Sequence, residues 1–244
     1  STPLYSSAAS DVYKRQYEDL DGEYKGLDLN SHQSVGFDNY TIFSLWDTYR
    51  ALHPLFNIIQ VERNTNMIKS MLAHYDQSVH KMLPVWSHYA NENWCMIGYH
   101  SVSVIADALA KGNIDFDVNR ALLASVNTSR QSYFDGLGDY MELNYVPEDR
   151  SGSSVSKTLE YAYNDWCIAQ MAIAAGKESL AAEYTLRSQN FENCYDPKIG
   201  FMRPKLADGS WKKEFNPMDT HVSLYCICFI CVVFLLKLPI VILI

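Results

Sequence analysis

"NMIKSMLAHYDQSVHKM", residues 66–82, decides the class of fold. Its apolar residues fall at Met67, Ile68, Met71, Leu72, Tyr75, Val79 and Met82, in steps of three and four. A 3.6-residue repeat gathers such positions into one stripe along a helix, whereas a half-buried strand would alternate every second residue. The same step recurs in Val102, Ile105, Ala106 and Leu109, in Val118, Leu122 and Val126, and in Leu159, Ala162, Trp166, Ala169 and Ile173. The punctuation agrees. Lys111-Gly112 ends one segment, Asp117 stands where it can cap the next, and Ala175-Gly176-Lys177 is short enough to turn one helix back on another. The pattern predicts about six helices, near 41–57, 61–83, 94–111, 117–135, 153–175 and 178–192, stacked as antiparallel hairpins.

Between the helices the links alternate in length. The longer ones, "LPVWSHYANENWCM" (83–96) and "NYVPEDRSGSSVSK" (144–157), are rich in aromatic and polar residues, and loops of that length in a helical domain usually carry function. Helical hairpins joined this way fit an α/α solenoid or toroid better than a four-helix bundle. Outside the helices, residues 17–38 read as turns with a short hairpin around Asp21-Gly22, and residues 195–217 as a second hairpin-like excursion. Asp19 to Glu23 has some calcium-loop character but lacks the later ligands of such a loop, and a solvated turn is the better reading.

Composition narrows the function classes. The net charge of -8 over 244 residues argues against a nucleic-acid partner, whose phosphates need a basic face. Seventeen Tyr and five Trp are ample, and aromatic faces suit both a core and a sugar-binding cleft. Cys95, Cys167 and Cys194 are too scattered for a disulfide framework and read as small buried hydrophobes. The tail's C-I-C-F-I-C (226–231) has chelating spacing without a second ligand pair, so no metal site is assigned to it.

Three stretches hold candidate chemistry. In "FSLWDTYRALHPL" (43–55), Trp46 and Asp47 stand where a loop enters a helix, with Arg50 three positions on. One reading is a capping Asp tied to Arg beside a core Trp. The other is a sugar subsite, with the indole under the C–H face of a pyranose and the carboxylate accepting from two hydroxyls. "ANENWCMIGYHS" (90–101) adds Glu92, Trp94 and His100, and "SKTLEYAYNDWCIAQM" (156–171) adds Glu160, Asp165 and Trp166. Glu160 and Asp165 diverge on a helix, so they do not make a hydrolytic pair. No nucleophile elbow, phosphate loop or zinc-protease motif is present.

These stretches resemble the calcium-dependent α-mannosidases of glycoside hydrolase family 92. The segments that carry the resemblance are "NYTIFSLWDTYRALHPLFN", "WSHYANENWCMIGYHSVSVIADA", "GSSVSKTLEYAYNDWCIAQMA" and "DPKIGFMRPKLADGSW", the last followed by "FNPMDTH". The match as a whole runs over about residues 17–221, with Asn164 where the family has Asp. The resemblance implies a mainly α fold, an incomplete (α/α)6 barrel with short β-hairpin-like excursions. It implies exo-acting removal of terminal α-linked mannose with inversion, mannose-containing glycans as partners, calcium as cofactor, and export to the periplasm or cell surface. It places Trp46 and Asp47 in the mannose pocket and Glu92, His100 and Asp165 in its wall. The family's acid, base and calcium motifs would follow "DTH", so no catalytic or metal-ligating residue is assigned, and the chain as written is expected to be inactive and to fold poorly.

Both ends stand apart. Residues 1–16 contain "SSAASDVYKRQ" and read as a leader foreign to the fold. Val222 to Ile244 is apolar except for Ser223, Lys237 and Pro239. A helix of that length would span about 34 Å, enough for a bilayer. The proline and the start in mid-motif favour a frame-shifted or misassembled end instead. A genuine tail would make the chain a non-catalytic helical sugar-binding or scaffold protein with a membrane anchor.

Overall fold

The structure, a computed structural model, describes residues 18–88 and 90–216. The expectations for residues 1–16 and 222–244 lie outside the described residues. Among the described residues no helix is long and apolar enough to cross a membrane. The chain divides into two compact units at Thr128/Ser129.

The first unit opens with an antiparallel hairpin, β1 (Glu23–Lys25) and β2 (Ser31–Gln33), that pairs Tyr24 with His32. Five helices follow: α1 (Leu45–Thr48), α2 (Leu52–Ile59), α3 (Val61–Gln77), α4 (Ser101–Ala110) and α5 (Val118–Thr128). A second hairpin, β3 (Ser87–His88) with β4 (Asn91–Glu92), stands between α3 and α4. The stripe read from the sequence is the buried face of α3, where Met67, Ile68, Met71, Leu72 and Tyr75 pack against α2, α4 and α5. A chain of buried polar groups crosses the same contact. Asn64 Nδ2 donates to Asn57 Oδ1 at 2.8 Å, Asn57 Nδ2 to Asp107 Oδ2 at 2.6 Å, and Lys111 Nζ to the same oxygen at 2.8 Å. Pairing in series is what makes these groups tolerable in a core.

The second unit has α6 (Leu137–Leu143), α7 (Ser154–Ala174) and α8 (Glu178–Arg187), a 3-10 segment (Ser188–Cys194), and a hairpin of β5 (Tyr195–Asp196) and β6 (Phe201–Met202). α7 is buried almost all round, as befits a central helix, and packs on α8 and the 3-10 segment. Gly176, at φ 66°, turns α7 into α8. There the amide of Gly176 donates to Ile173 O at 3.0 Å and that of Lys177 to Ala172 O at 2.9 Å, the paired bonds of a Schellman cap.

Several boundaries differ from the sequence expectation, each for a local reason. The helix expected over 41–57 is two helices, because Pro54 inside a continuous helix would clash with the carbonyl of Arg50; the break puts Pro54 in the first turn of α2, where no amide is needed. α3 stops at Gln77, not 83, so Val79 leaves the stripe and is exposed. The helix expected from 94 starts at Ser101, since 87–92 form the hairpin and Gly98 sits at φ 79°. The one expected to run to 135 ends at Thr128, and α6 was not expected at all. Cys167 and Cys194 are buried as expected, and burial pushes the Cys194 thiol up to about 11; Cys95, in the loop after β4, is exposed. The mainly α class with short antiparallel hairpins is the one the sequence called for.

Candidate functional site

In the first unit, two non-helical segments are laced together and present the candidate residues. Segment 83–88 is tied at its start to α5 and α4: the Leu83 amide donates to Thr128 Oγ1 at 2.9 Å, and Ser101 Oγ donates to Pro84 O at 2.6 Å. Segment 41–45 lies along it. The Leu45 amide donates to Val85 O at 3.1 Å, while Ser87 O accepts both the Ile42 amide, at 2.9 Å, and Thr41 Oγ1, at 2.8 Å. α1 leaves directly from this seam, carrying Trp46 half-buried and Asp47 exposed.

Glu92 is what shapes the loop after the seam. Its carboxylate accepts from the amides of Val85 (2.8 Å), Trp86 (2.9 Å), Asn93 (3.0 Å) and Trp94 (3.3 Å). Burial pushes its pKa up, and these four donors pull against that shift. A carboxylate so occupied serves as a loop clamp. His100, at the start of α4, is fully buried and stacks face to face on Tyr49, with ring centroids 3.8 Å apart. Gly98 makes the room: a Cβ there would come within 2.4 Å of His100 Nε2.

Asp47 and Arg50 are exposed on α1 and just after it, with Trp46 half-buried beside them. Asp47 Oδ2 accepts from Ser44 Oγ at 2.6 Å. Arg50 Nε donates to Trp46 O at 3.0 Å, and its guanidinium lies 4.8 Å from the Tyr49 ring centroid and 5.7 Å from that of Trp46. Cys95, though exposed, is partly desolvated by its neighbours; that first, then the negative charges of Glu92 and Asp47, raises its thiol pKa. Asp47, Glu92 and His100 are therefore gathered around one seam. Backbone strain gathers there too: Ile42, Ser44, Ala90 and Trp94 all have φ between 49° and 65°. Such non-glycine residues cost of order 1–3 kcal/mol each and concentrate at functional sites.

Asp165 belongs to the second unit. It is fully buried on α7, where Oδ2 accepts from Tyr140 Oη at 2.9 Å and from Arg187 Nε at 3.1 Å. Arg187 also donates to Ser129 O at 3.1 Å and lies over the Tyr184 ring. The arrangement ties α6, α7 and α8 together. It also pushes the Tyr140 hydroxyl pKa well up, through burial first and then the Asp165 charge.

Sequence reasoning passed over Trp86 and His88. Their rings meet edge-on at 4.7 Å, and Trp86 Nε1 and His88 Nε2 find no protein hydrogen-bond partner among the described residues. Alternation around the buried Val85 and Ser87 is the signal that would have placed both on the outward side. For a metal, no group of three or more His, Cys, Asp and Glu side chains converges among the described residues. Calcium therefore receives no ligand set here, and no step is assigned to it.

Comparison with known proteins meets this geometry. The profile of the glycosyl hydrolase family 92 catalytic domain matches residues 2–226. A family GH92 α-mannosidase from Bacteroides thetaiotaomicron superposes with a TM-score of 0.81 at 50% identity, over 84% of this chain and 28% of that one; the same enzyme has been solved with mannoimidazole. An inverting family GH92 mannosidase from the same organism matches with a TM-score of 0.76 at 36% identity, again over 84% of this chain and 28% of the other. An uncharacterized secreted glycosidase of Arthroderma benhamiae is 29% identical over 159 residues, 53% of this chain and 20% of that protein. The chain thus spans little more than a quarter of the length of these two family GH92 enzymes. With the mainly α fold, the extent of the profile match and 50% identity to a solved member, the chain belongs to glycosyl hydrolase family 92.

Proposed function

We propose that the chain is part of an exo-acting, inverting α-mannosidase, and that Trp46 and Asp47 form one wall of its pocket for a terminal mannose. The observation that carries this is the placement of a half-open indole beside an exposed carboxylate on a seam held in strained geometry. The indole offers a flat apolar face to the sugar ring, and Asp47 accepts from two hydroxyls. Glu92 and His100 hold the wall in place from behind, and Asp165 holds the helices of the second unit.

Hydrolysis with inversion needs two carboxyl groups about 6.5–9.5 Å apart, one protonating the leaving oxygen and one activating water. Glu92 is committed to four amides and Asp165 to a tyrosine and an arginine. Neither is open to move a proton, so we assign the acid and base to residues other than these and expect no turnover from the chain as written. The resemblance to a secreted glycosidase supports export. Calcium, in this reading, is held by groups other than those described.

The test is titration of the chain with methyl α-mannoside and α-mannobiose, followed by tryptophan fluorescence. Binding that Trp46→Ala and Asp47→Asn each weaken about tenfold or more supports the pocket. Wild-type affinity in both variants would refute it, and turnover by the chain alone would refute the assignment of acid and base elsewhere.

A further inference from the structure

His74 lies outside the candidate pocket, on the buried face of α3, yet it touches the residue on which the seam turns. It is 4% exposed, and its Nδ1 is 3.2 Å from Ser87 Oγ. Ser87 is fully buried, and both its carbonyl and its hydroxyl have partners. Its carbonyl accepts from Ile42 N and Thr41 Oγ1, and its hydroxyl also lies 3.2 Å from Thr41 Oγ1. With Thr41 Oγ1 donating to Ser87 O, the Ser87 hydroxyl either donates to His74 Nδ1 or donates to Thr41 Oγ1 and accepts from Nδ1–H, and in both arrangements Nδ1 is its partner. Complete burial, with the tilted Phe43 ring 5.7 Å away, favours the neutral imidazole.

From these contacts we infer that His74 is a positioning residue for the mannose wall, acting through Ser87. It fixes Ser87 to the helical core. Ser87 in turn fixes segment 41–45, from which Trp46 and Asp47 emerge, and segment 85–88, whose amides Glu92 gathers. Without Nδ1 the buried hydroxyl keeps only Thr41 Oγ1, and the seam loses the tie to α3 that runs through Ser87. This inference rests on the reading of Trp46 and Asp47 as sugar contacts, but its structural half is separately measurable.

The experiment compares amide hydrogen exchange and α-mannoside affinity in the chain and in His74→Leu, His74→Asn and Ser87→Ala. Asn places a polar atom close to the position of Nδ1, so it is the rescuing variant. Exchange over residues 85–94 is expected to quicken about tenfold in His74→Leu and Ser87→Ala, as for loss of one buried hydrogen bond. The amides of α5 should be unaffected, and His74→Asn should return most of the protection. Affinity for methyl α-mannoside should fall in step. Selective loosening of 85–94 in a chain whose wild type binds no mannoside supports the positioning role and sinks the sugar reading instead. Unchanged exchange at 85–94, or equal quickening across α3, α4 and α5 in Ser87→Ala, the mildest variant, overturns the inference.

Discussion

Replacing Asp165 discriminates between a residue that meets sugar and one that holds helices together. In the structure its carboxylate is fully enclosed, 2.9 Å from Tyr140 Oη and 3.1 Å from Arg187 Nε, and Arg187 is itself mostly buried. Asp165→Leu leaves a guanidinium without its counter-charge and a phenol without its acceptor. Breaking one side of a buried pair costs about 3–5 kcal/mol. Asp165→Asn keeps the volume and one acceptor oxygen and removes the charge, so it should cost less, about 1–3 kcal/mol, within the range for a hydrogen bond to a charged group. A second substitution completes the cycle: with Arg187→Met in place, the further loss from Asp165→Leu should shrink by at least about 1 kcal/mol, because the two side chains are coupled. Urea unfolding followed by tryptophan fluorescence gives the free energies, and fluorescence titration gives mannoside affinity. If Asp165→Asn left stability within about 0.5 kcal/mol of wild type while abolishing mannoside binding, the structural account would be wrong and Asp165 would be a sugar contact.

Other expectations follow from single contacts. His74 is held down to about 4 by burial, below the ordinary 6.5. The unfolded chain therefore takes up a proton that the folded chain refuses, so this contribution is complete above pH 6.5 and is lost as the pH falls toward 4. It amounts to about 3 kcal/mol at 1.36 kcal/mol per unit, and stability curves of wild type and His74→Leu should converge over that interval. Glu92→Gln, which exchanges a charge gathering four amides for a neutral group, should weaken stability by about 1–3 kcal/mol and loosen residues 85–94 in hydrogen exchange before any other segment. Gly176→Ala, which forces a side chain into the left-handed region at φ 66°, should cost about 1–2 kcal/mol in urea unfolding, with no effect on mannoside affinity.

The sequence by itself determined the helical class and much of its punctuation. The stripe of α3 and the full length of α7 follow from period, because burial of one helix face selects residues three and four apart wherever the helix lies. Gly112, Asp117 and Gly176 were legible as ends and starts because each acts within one turn of itself; the Asp117 carboxylate does accept the Arg120 amide at 2.9 Å. The break before Pro54 was legible too, had the clash with the carbonyl four residues back been counted. Tertiary structure alone decided what the candidate residues do. Glu92, His100 and Asp165 are polar residues in motif-like stretches, and nothing in their spacing says that one clamps amides, one stacks on Tyr49 and one pairs with Arg187. Their partners lie up to 51 residues away, the distance from Tyr49 to His100. Contacts at that range are made by packing, and no local period records them. The same holds for His74: only the fold sets Ser87 against it, and no local spacing records that contact.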